Sequence, residues 1–196
     1  MTLKILPRAF FARPTSLVAR GLLGKVLVRR IGRLVLSGRI VEVEAYTSDD
    51  PASHAFRGRT RRNRALFAEV GRAYIYQTHG QHCLNVVAKK GRRAGGVLIR
   101  SLEPLGGIAA MRRSRGAADE RGPASGPGNL TRAMRIDMRL YGADLAKKGP
   151  LFLADDGTPK PRVRRTVRIG VTAARGLLRR FVAAGNPFIT RPRLGL

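Results

Sequence analysis

Residues 38–85 read GRIVEVEAYTSDDPASHAFRGRTRRNRALFAEVGRAYIYQTHGQHCLN, and this stretch contains all three histidines of the chain and three of its four tyrosines. It also contains a run of arginines, and two glutamates set among alternating apolar residues. Chemically distinctive residues are therefore concentrated in one segment. We expect the rest of the chain to support it.

The start of this stretch predicts a β-strand with two unlike faces. Because successive side chains of a strand point to opposite faces, residues 39–46 place Val41, Val43 and Ala45 on an apolar face that we assign to the core. The opposite face carries Ile40, Glu42, Glu44 and Tyr46. Two carboxylates beside an aromatic ring, in a chain of net charge +27, indicate a cleft rather than a solvated surface.

An arginine-rich segment and a hairpin follow. Residues 57–64 contain five arginines, which predicts contact with a polyanion. Tyr74 and Tyr76 then share one face of a further strand, which turns at residues 77–80 and returns through residues 81–85. If these strands pair with the first one, carboxylates, aromatic rings, histidine and arginine converge on one site.

The composition is that of a strongly basic, single-domain chain. Lysine and arginine number 39 against 12 acidic residues, and a field of that sign attracts phosphates at long range. No apolar run approaches the ~20 residues that cross a bilayer. Cys83 is the only cysteine, which excludes an intrachain disulfide and cysteine-based zinc sites and favours an intracellular location. A length of 196 residues is suited to one domain.

Patterns elsewhere predict short helices and strands. The first helix, over residues 15–23, is expected to be capped by Thr15 or Ser16 and to turn Leu17 inward. Further helical segments are expected at residues 60–67, 105–115 with Ile108 inward, 126–135 and 173–178. Strands are expected at residues 25–30, 34–36, 97–102, 151–153 and 164–171, with Gly38 separating 34–36 from 39–46. Residues 116–127 predict a mobile loop, and residues 181–196 an irregular tail.

The motifs, in their order, resemble the alkyladenine DNA glycosylases, the methylpurine type of base-excision repair enzyme. The matching segments are residues 22–25 (LLGK), 41–46 (VEVEAY), His54, 62–64 (RNR), 74–76 (YIY), 85–87 (NVV), 97–104 (VLIRSLEP), 126–130 (GPGNL) and 168–171 (RIGV). They cover most of the chain. With this resemblance we expect an α+β fold, in which residues 1–196 form one compact domain with a curved, mostly antiparallel β-sheet flanked by helices.

The resemblance implies roles for the residues of the predicted cleft. It makes Glu44 the general base that deprotonates the water attacking C1′ of a damaged nucleotide, and Arg100 and a main-chain carbonyl near Val171 the groups that hold this water. An arginine within the apolar run 97–102 also needs a carboxylate partner, for which Glu44 is a candidate. The residues implied to stack on, hydrogen-bond or select the flipped base are Tyr46, His54, Tyr76 and Asn85.

The resemblance also implies DNA contacts outside the pocket. The family's hairpin tyrosine, which fills the gap left by the flipped nucleotide, is replaced here by His79, with His82 and Gln81 as alternatives. Backbone N–H groups at the helix start around Gly128 are expected either to hold a phosphate or to form an ordinary cap. Phosphate contacts by side chains are expected at Arg57, Arg59, Arg61, Arg62 and Arg64.

The function implied by the resemblance is that of a monofunctional DNA glycosylase. It would flip an alkylated, deaminated or etheno purine out of double-stranded DNA and hydrolyse the N-glycosidic bond, as a monomer and without a metal or other cofactor. Two alternatives stay open from the residues alone. One is a non-catalytic, basic nucleic-acid-binding protein, and the other is a metal-dependent nuclease that uses Glu42, Glu44, Asp49 and Asp50.

Overall fold

A single β-sheet organises the chain. The structure, a computed structural model, describes residues 2–89, 91, 93–116 and 122–190, and within these ranges it contains one nine-stranded sheet. All of its paired strands are antiparallel. The expected α+β class, with a mostly antiparallel sheet in one compact domain, is confirmed.

The sheet is centred on its longest strand, β3. The strands are β1 (Lys4–Ile5), β2 (Val26–Ile31), β3 (Leu34–Thr47), β4 (Ala73–Thr78), β5 (Gln81–Val87), β6 (Gly95–Gly106), β7 (Leu151–Asp155), β8 (Val163–Thr166) and β9 (Arg180–Ala183). Their order is β1-β7-β2-β3-β6-β5-β4. One edge of β3 pairs with β6, and the other pairs first with β2 and then with β9, which also pairs with β8. Sequence-distant segments thus meet on β3.

Short helices pack against this sheet. They are α1 (Arg8–Phe11), α2 (Thr15–Leu22), α3 (Ile108–Arg115) and α4 (Pro127–Ala133), with 3₁₀ turns at Arg64–Phe67 and Met138–Leu140. α2 and α3 contact β3, while α4 contacts β5 and β6. Among the described residues, no helix combines the length and apolar character required to cross a membrane.

The predicted break at Gly38 is wrong, because β3 runs through it without interruption. A Cβ atom on Gly38 would lie 2.9 Å from the Cβ of Leu102 on β6. The glycine therefore allows β6 to approach closely rather than ending a strand.

The strict alternation predicted for residues 39–46 is also wrong in its first half. Ile40 pairs with Leu102 and Glu42 with Ser101, so two residues of β3 oppose one residue of β6, which is a β-bulge. Because of this bulge, Ile40 lies in the same core cluster as Val43 and Ala45 rather than on the face of the glutamates.

Several helix predictions need correction. α2 has Pro14 at its N-cap, and Thr15 donates its hydroxyl to the carbonyl of Ala88 instead of capping the helix. Leu17 is exposed, and so is Ile108, which begins α3 three residues later than predicted. The helical segment expected at residues 60–67 is confined to the 3₁₀ turn Arg64–Phe67.

The C-terminal part differs most from the prediction. Residues 173–178 form bends and a turn rather than a helix, and β9 lies partly within the segment expected to be irregular. The strand expected at 164–171 ends at Thr166. Of the loop predicted to be mobile, residues 117–121 lie outside the described residues, as do residues 191–196 of the tail.

Candidate active site

Glu44 is fully buried near the end of β3, and its carboxylate accepts three hydrogen bonds. The hydroxyl of Tyr46 donates to Oε2 at 2.8 Å, and Nη1 of Arg100 donates to the same oxygen at 3.3 Å. The backbone N–H of Ile169 donates to Oε1 at 2.8 Å. Because a carboxylate has about four acceptor sites, one remains for a further donor.

A cavity of about 410 Å³ lies beside this carboxylate. The three residues that bond Glu44, namely Tyr46, Arg100 and Ile169, also line the cavity, so the carboxylate lies directly behind its wall. Other lining residues include Ser53, His54, Leu66, Tyr74, Tyr76, His79, Cys83, Asn85, Gly170 and Val171. The structure therefore brings together Tyr46, His54, Tyr76, Asn85 and Arg100, the residues that the sequence nominated for the pocket and the water.

Aromatic rings form one side of the cavity. The ring of His54 meets that of Tyr76 edge-on, with centroids 4.5 Å apart, and its Nδ1 lies 2.8 Å from the hydroxyl oxygen of Tyr74. Partial burial, and then the charge of Arg62, lowers the pKa of His54 and so favours the neutral ring. Burial raises the pKa of Tyr74 to about 12. The site thus offers uncharged rings and hydroxyl groups to a flat ligand.

Asn85 lies on β5 at the floor of the same cavity. It is buried, and its side-chain amide donates to the backbone carbonyl of Tyr74 at 3.2 Å. This bond fixes one end of the amide. The expected role of Asn85 in selecting the base stays a prediction.

Arg168 and Asp50 form a supporting ion pair that sequence reasoning missed. Both side chains are fully buried, and Arg168 donates to Asp50 through both terminal nitrogens. The guanidinium carbon of Arg168 lies 4.7 Å from the centroid of the Tyr46 ring. Burial opposes ionisation of Asp50, but the hydrogen bonds from Arg168 and the backbone of Ala52, together with the charges of Arg168 and Arg179, outweigh it and lower the pKa of Asp50. The signal that the sequence offered for this pair was the position of Arg168 at the start of the matching segment 168–171.

The carboxylates considered for a metal are mostly bound to arginines. Glu42 contacts Arg100 and Arg180, Glu44 contacts Arg100, and Asp50 contacts Arg168. Asp49 is exposed. In the parts of the chain that the structure describes, no group of three or more histidine, cysteine or acidic residues could hold a metal ion.

The turn between β4 and β5 places His79 at the cavity rim. Thr78 pairs with Gln81, so His79 and Gly80 form a two-residue turn, with φ of 47° and 71°. Both residues in the left-handed region make this a type I′ turn, whose twist matches that of the strands. The ring of His79 is exposed. The side chain of Gln81 instead packs on Gly128.

The five arginines between residues 57 and 64 are exposed and lie on the loop that leads into the 3₁₀ turn Arg64–Phe67. Buried Asn63 holds this loop by donating to the carbonyls of His54 and Gly58, at 2.6 and 2.9 Å. None of the five arginines pairs with a carboxylate among the described residues. Arg61, Arg62 and Arg64 line a groove of about 490 Å³, which also includes Tyr76.

Gly128 and Val171 were also nominated from the sequence, and their proposed roles stay predictions. Gly128 is buried near the start of α4, where any Cβ atom would overlap the side chain of Gln81. Close packing alone therefore accounts for a glycine at this position. Val171 lines the cavity in the loop that follows Ile169.

Comparison with known proteins agrees over nearly the whole chain. The family model described as methylpurine-DNA glycosylase matches residues 9–187. A protein of Mesorhizobium japonicum is 48% identical over 180 residues, which cover 91% of this chain and 86% of that protein. A protein of Koribacter versatilis is 46% identical over 194 residues (96% and 94%), and one of Carboxydothermus hydrogenoformans is 43% identical over 190 residues (95% and 99%).

These three relatives carry the name "Putative 3-methyladenine DNA glycosylase". The family match includes β3 with Glu44, the strand with Arg100 and the loop with Ile169, so it spans every element that forms the cavity. The chain belongs to the methylpurine-DNA glycosylase family.

Proposed function

We propose that the protein is a monofunctional DNA glycosylase that removes damaged purines from double-stranded DNA inside the cell and so starts base excision repair. The observation that carries the proposal is the position of Glu44. A carboxylate with one unused acceptor site lies behind the wall of a cavity lined by aromatic rings and is held there by Tyr46, Arg100 and Ile169. A water molecule bound at this site would face a ligand in the cavity.

In the proposed reaction, Glu44 accepts a proton from water while the water oxygen attacks C1′ of the nucleotide. The bond between C1′ and the purine nitrogen breaks, and the purine leaves with the bonding electrons. The carboxylate also stabilises the positive charge that develops on the sugar. An alkylated purine that is already cationic leaves as a neutral base and needs no acid. A deaminated or etheno base is neutral and would leave with a proton.

The cavity is suited to a flipped base rather than to a sugar. A base inside a duplex is inaccessible, and flipping it costs a few kcal/mol that stacking in the pocket must offset. Tyr46, Tyr76 and His54 supply ring surfaces for this, and the faces of the tyrosines would attract a cationic purine. The exposed arginines at residues 57–64 would bind the phosphates without reading sequence.

The substitution Glu44→Gln tests the proposal. It keeps the shape of the side chain but removes the base, so we expect loss of the release of methylated purine from a duplex, by at least about a hundredfold. Binding to duplex DNA with an abasic-site analogue should be retained. The matched control is Glu69→Gln, since Glu69 is an exposed carboxylate paired with Arg8 and Arg72.

Other outcomes would point to different functions. Excision at the wild-type rate by Glu44→Gln would remove the proposed mechanism. A covalent adduct trapped by borohydride would indicate a lysine nucleophile and lyase activity. If the wild-type protein released no alkylated, deaminated or etheno base but still bound DNA, the net charge of +27 would be explained by a non-catalytic binding role.

A further inference from the structure

A second buried carboxylate, Glu42, shares Arg100 with Glu44. Arg100 donates from Nε to Oε1 of Glu42 at 2.8 Å and from Nη1 to Oε2 of Glu44 at 3.3 Å. Because the guanidinium group is planar and rigid, binding at Nε restricts where Nη1 can lie. The bond to Glu42 therefore sets the position of Arg100 relative to Glu44.

Glu42 is itself held by the C-terminal segment. Nε of Arg180 donates to Oε1 at 2.7 Å, and the backbone N–H of Thr190 donates to Oε2 at 2.6 Å. The hydroxyl of Thr190 lies 2.6 and 2.7 Å from the two oxygens, and Nη2 of Arg180 donates to the carbonyl of Thr190 at 2.7 Å. Glu42 has no exposed surface, and these partners occupy its acceptor sites. The surroundings of Glu42 are suited to holding Arg100 in place and not to activating a water molecule.

We propose that Glu42 is a positioning residue for the reaction, held in turn by Arg180 and Thr190, and that it keeps Arg100 from closing over Glu44. This inference rests on the function proposed above. An arginine without its second partner can rotate into a two-bond pair with a carboxylate. Such a pair would occupy the acceptor site that the attacking water needs. Glu42 therefore keeps Glu44 bonded to Arg100 while leaving one acceptor site of Glu44 unused.

The charge of Glu42 gives the proposal a second, independent readout. Removing this negative charge from beside the site should move the acidic limb of the pH–rate profile to lower pH. The other titratable groups that act on Glu44 come from β3, β4, β5, β6 and the loop after β8. They are Tyr46, Tyr76, Cys83, Arg100 and Arg168. Of these groups, Arg100 contacts Glu42 directly.

The experiment compares single-turnover excision of a methylated purine by the full chain and by Glu42→Gln across pH. We expect a rate loss on the order of tenfold to a hundredfold, the scale at which misplacement by ~1 Å lowers rates, together with an acidic limb at lower pH. Binding to abasic-analogue DNA should not change. The matched control is Glu103→Gln, because Glu103 binds Asn186 of the same C-terminal segment but does not contact Arg100.

A second variant covers the case in which Glu42→Gln fails to fold. Glu42→Asp keeps the charge but withdraws the carboxylate by one methylene, so it should lose rate without moving the acidic limb. A wild-type rate in Glu42→Gln, or in Glu42→Asp if the first does not fold, overturns the positioning role. The same rate loss and the same shift of the acidic limb in Glu103→Gln would also overturn the positioning role. The effect would then come from disturbing the C-terminal segment and not from the contact between Glu42 and Arg100. If the wild-type protein itself excises no damaged purine, the proposed function has failed, and the comparison of variants no longer applies.

Discussion

His54 shows how the neighbours of a single residue in this site change its properties. His54 accepts or donates one hydrogen bond at Tyr74 and lies edge-on to Tyr76, while Arg62 adds positive charge nearby. Burial and that charge both disfavour the imidazolium form. A neutral ring can present its free nitrogen to a base as a donor or an acceptor, whereas an imidazolium would repel a cationic purine.

The lowered pKa of His54 predicts a pH dependence of stability. The folded-state pKa lies below the unfolded value of about 6.5, so the unfolded state binds more protons as the pH falls through that value. This contribution is present in full above about pH 6.5 and is lost as the pH falls toward the folded-state pKa. We therefore expect wild-type protein to lose more unfolding free energy between pH 7.5 and 5.5 than His54→Gln. Equal losses, measured by urea unfolding, would contradict the prediction.

At the scale of an element, the β4–β5 hairpin carries much of the site. Its strands hold Tyr74, Tyr76, Cys83 and Asn85 on the cavity wall, and its turn projects His79 at the rim. A type I′ turn fixes the register of these strands, and a slip by one residue would turn the tyrosines away from the cavity. The left-handed conformation of His79 is uncommon for a residue with a side chain, although histidine adopts it more readily than most. A glycine would relieve that strain.

The substitution His79→Gly separates the contribution of His79 to the turn from its proposed role as a wedge, the residue that fills the gap left by a flipped nucleotide. Relief of the left-handed conformation, about 1 kcal/mol, nearly offsets the entropy that a glycine adds to the unfolded chain, so stability should stay within about 0.5 kcal/mol. If His79 fills the gap left by a flipped nucleotide, single-turnover excision from a duplex should fall about tenfold. Excision from a single strand carrying the same lesion should fall less, and an equal effect on both substrates would exclude the wedge.

At the scale of the whole molecule, charge is distributed unequally between the interior and the surface. Buried carboxylates are paired with arginines, as in Glu42 with Arg180 and Asp50 with Arg168, so these charges largely cancel. The arginines of residues 57–64 are exposed and without a carboxylate partner among the described residues, and they lie close to the cavity. The net positive field is therefore available to an anionic partner beside the site.

This distribution predicts how DNA binding depends on salt. Neutralising one phosphate contributes about 0.9 to the slope of log K against log salt concentration. If Arg59 and Arg61 each contact a phosphate, the double substitution to glutamine should lower the slope by about 2. Arg33 serves as the control, because it is exposed in the β2–β3 turn, at the opposite end of β3 from Tyr46. A slope that falls by about 1 in Arg33→Gln, the same change per arginine, would show that the arginine segment is not a specific contact.

The sequence by itself determined the fold class and nominated residues that the structure gathers around one cavity. Alternation in residues 39–46 correctly placed Glu42 and Glu44 on one side of a strand, and the ordered motifs indicated the family that the comparisons then showed. It missed the bulge at Val41, because a bulge depends on the register of the partner strand β6. It also missed β9, whose short run of residues forms a strand only because β3 offers it an edge.

Only the tertiary structure decided which groups surround the carboxylate. Ile169 lies 125 residues from Glu44, and Thr190 lies 148 residues from Glu42, yet both donate directly to these side chains. Local periodicity specifies which face a side chain occupies, but not which distant segment will meet it. That is settled when buried charges must find partners, since an unpaired one is too costly to keep in the interior.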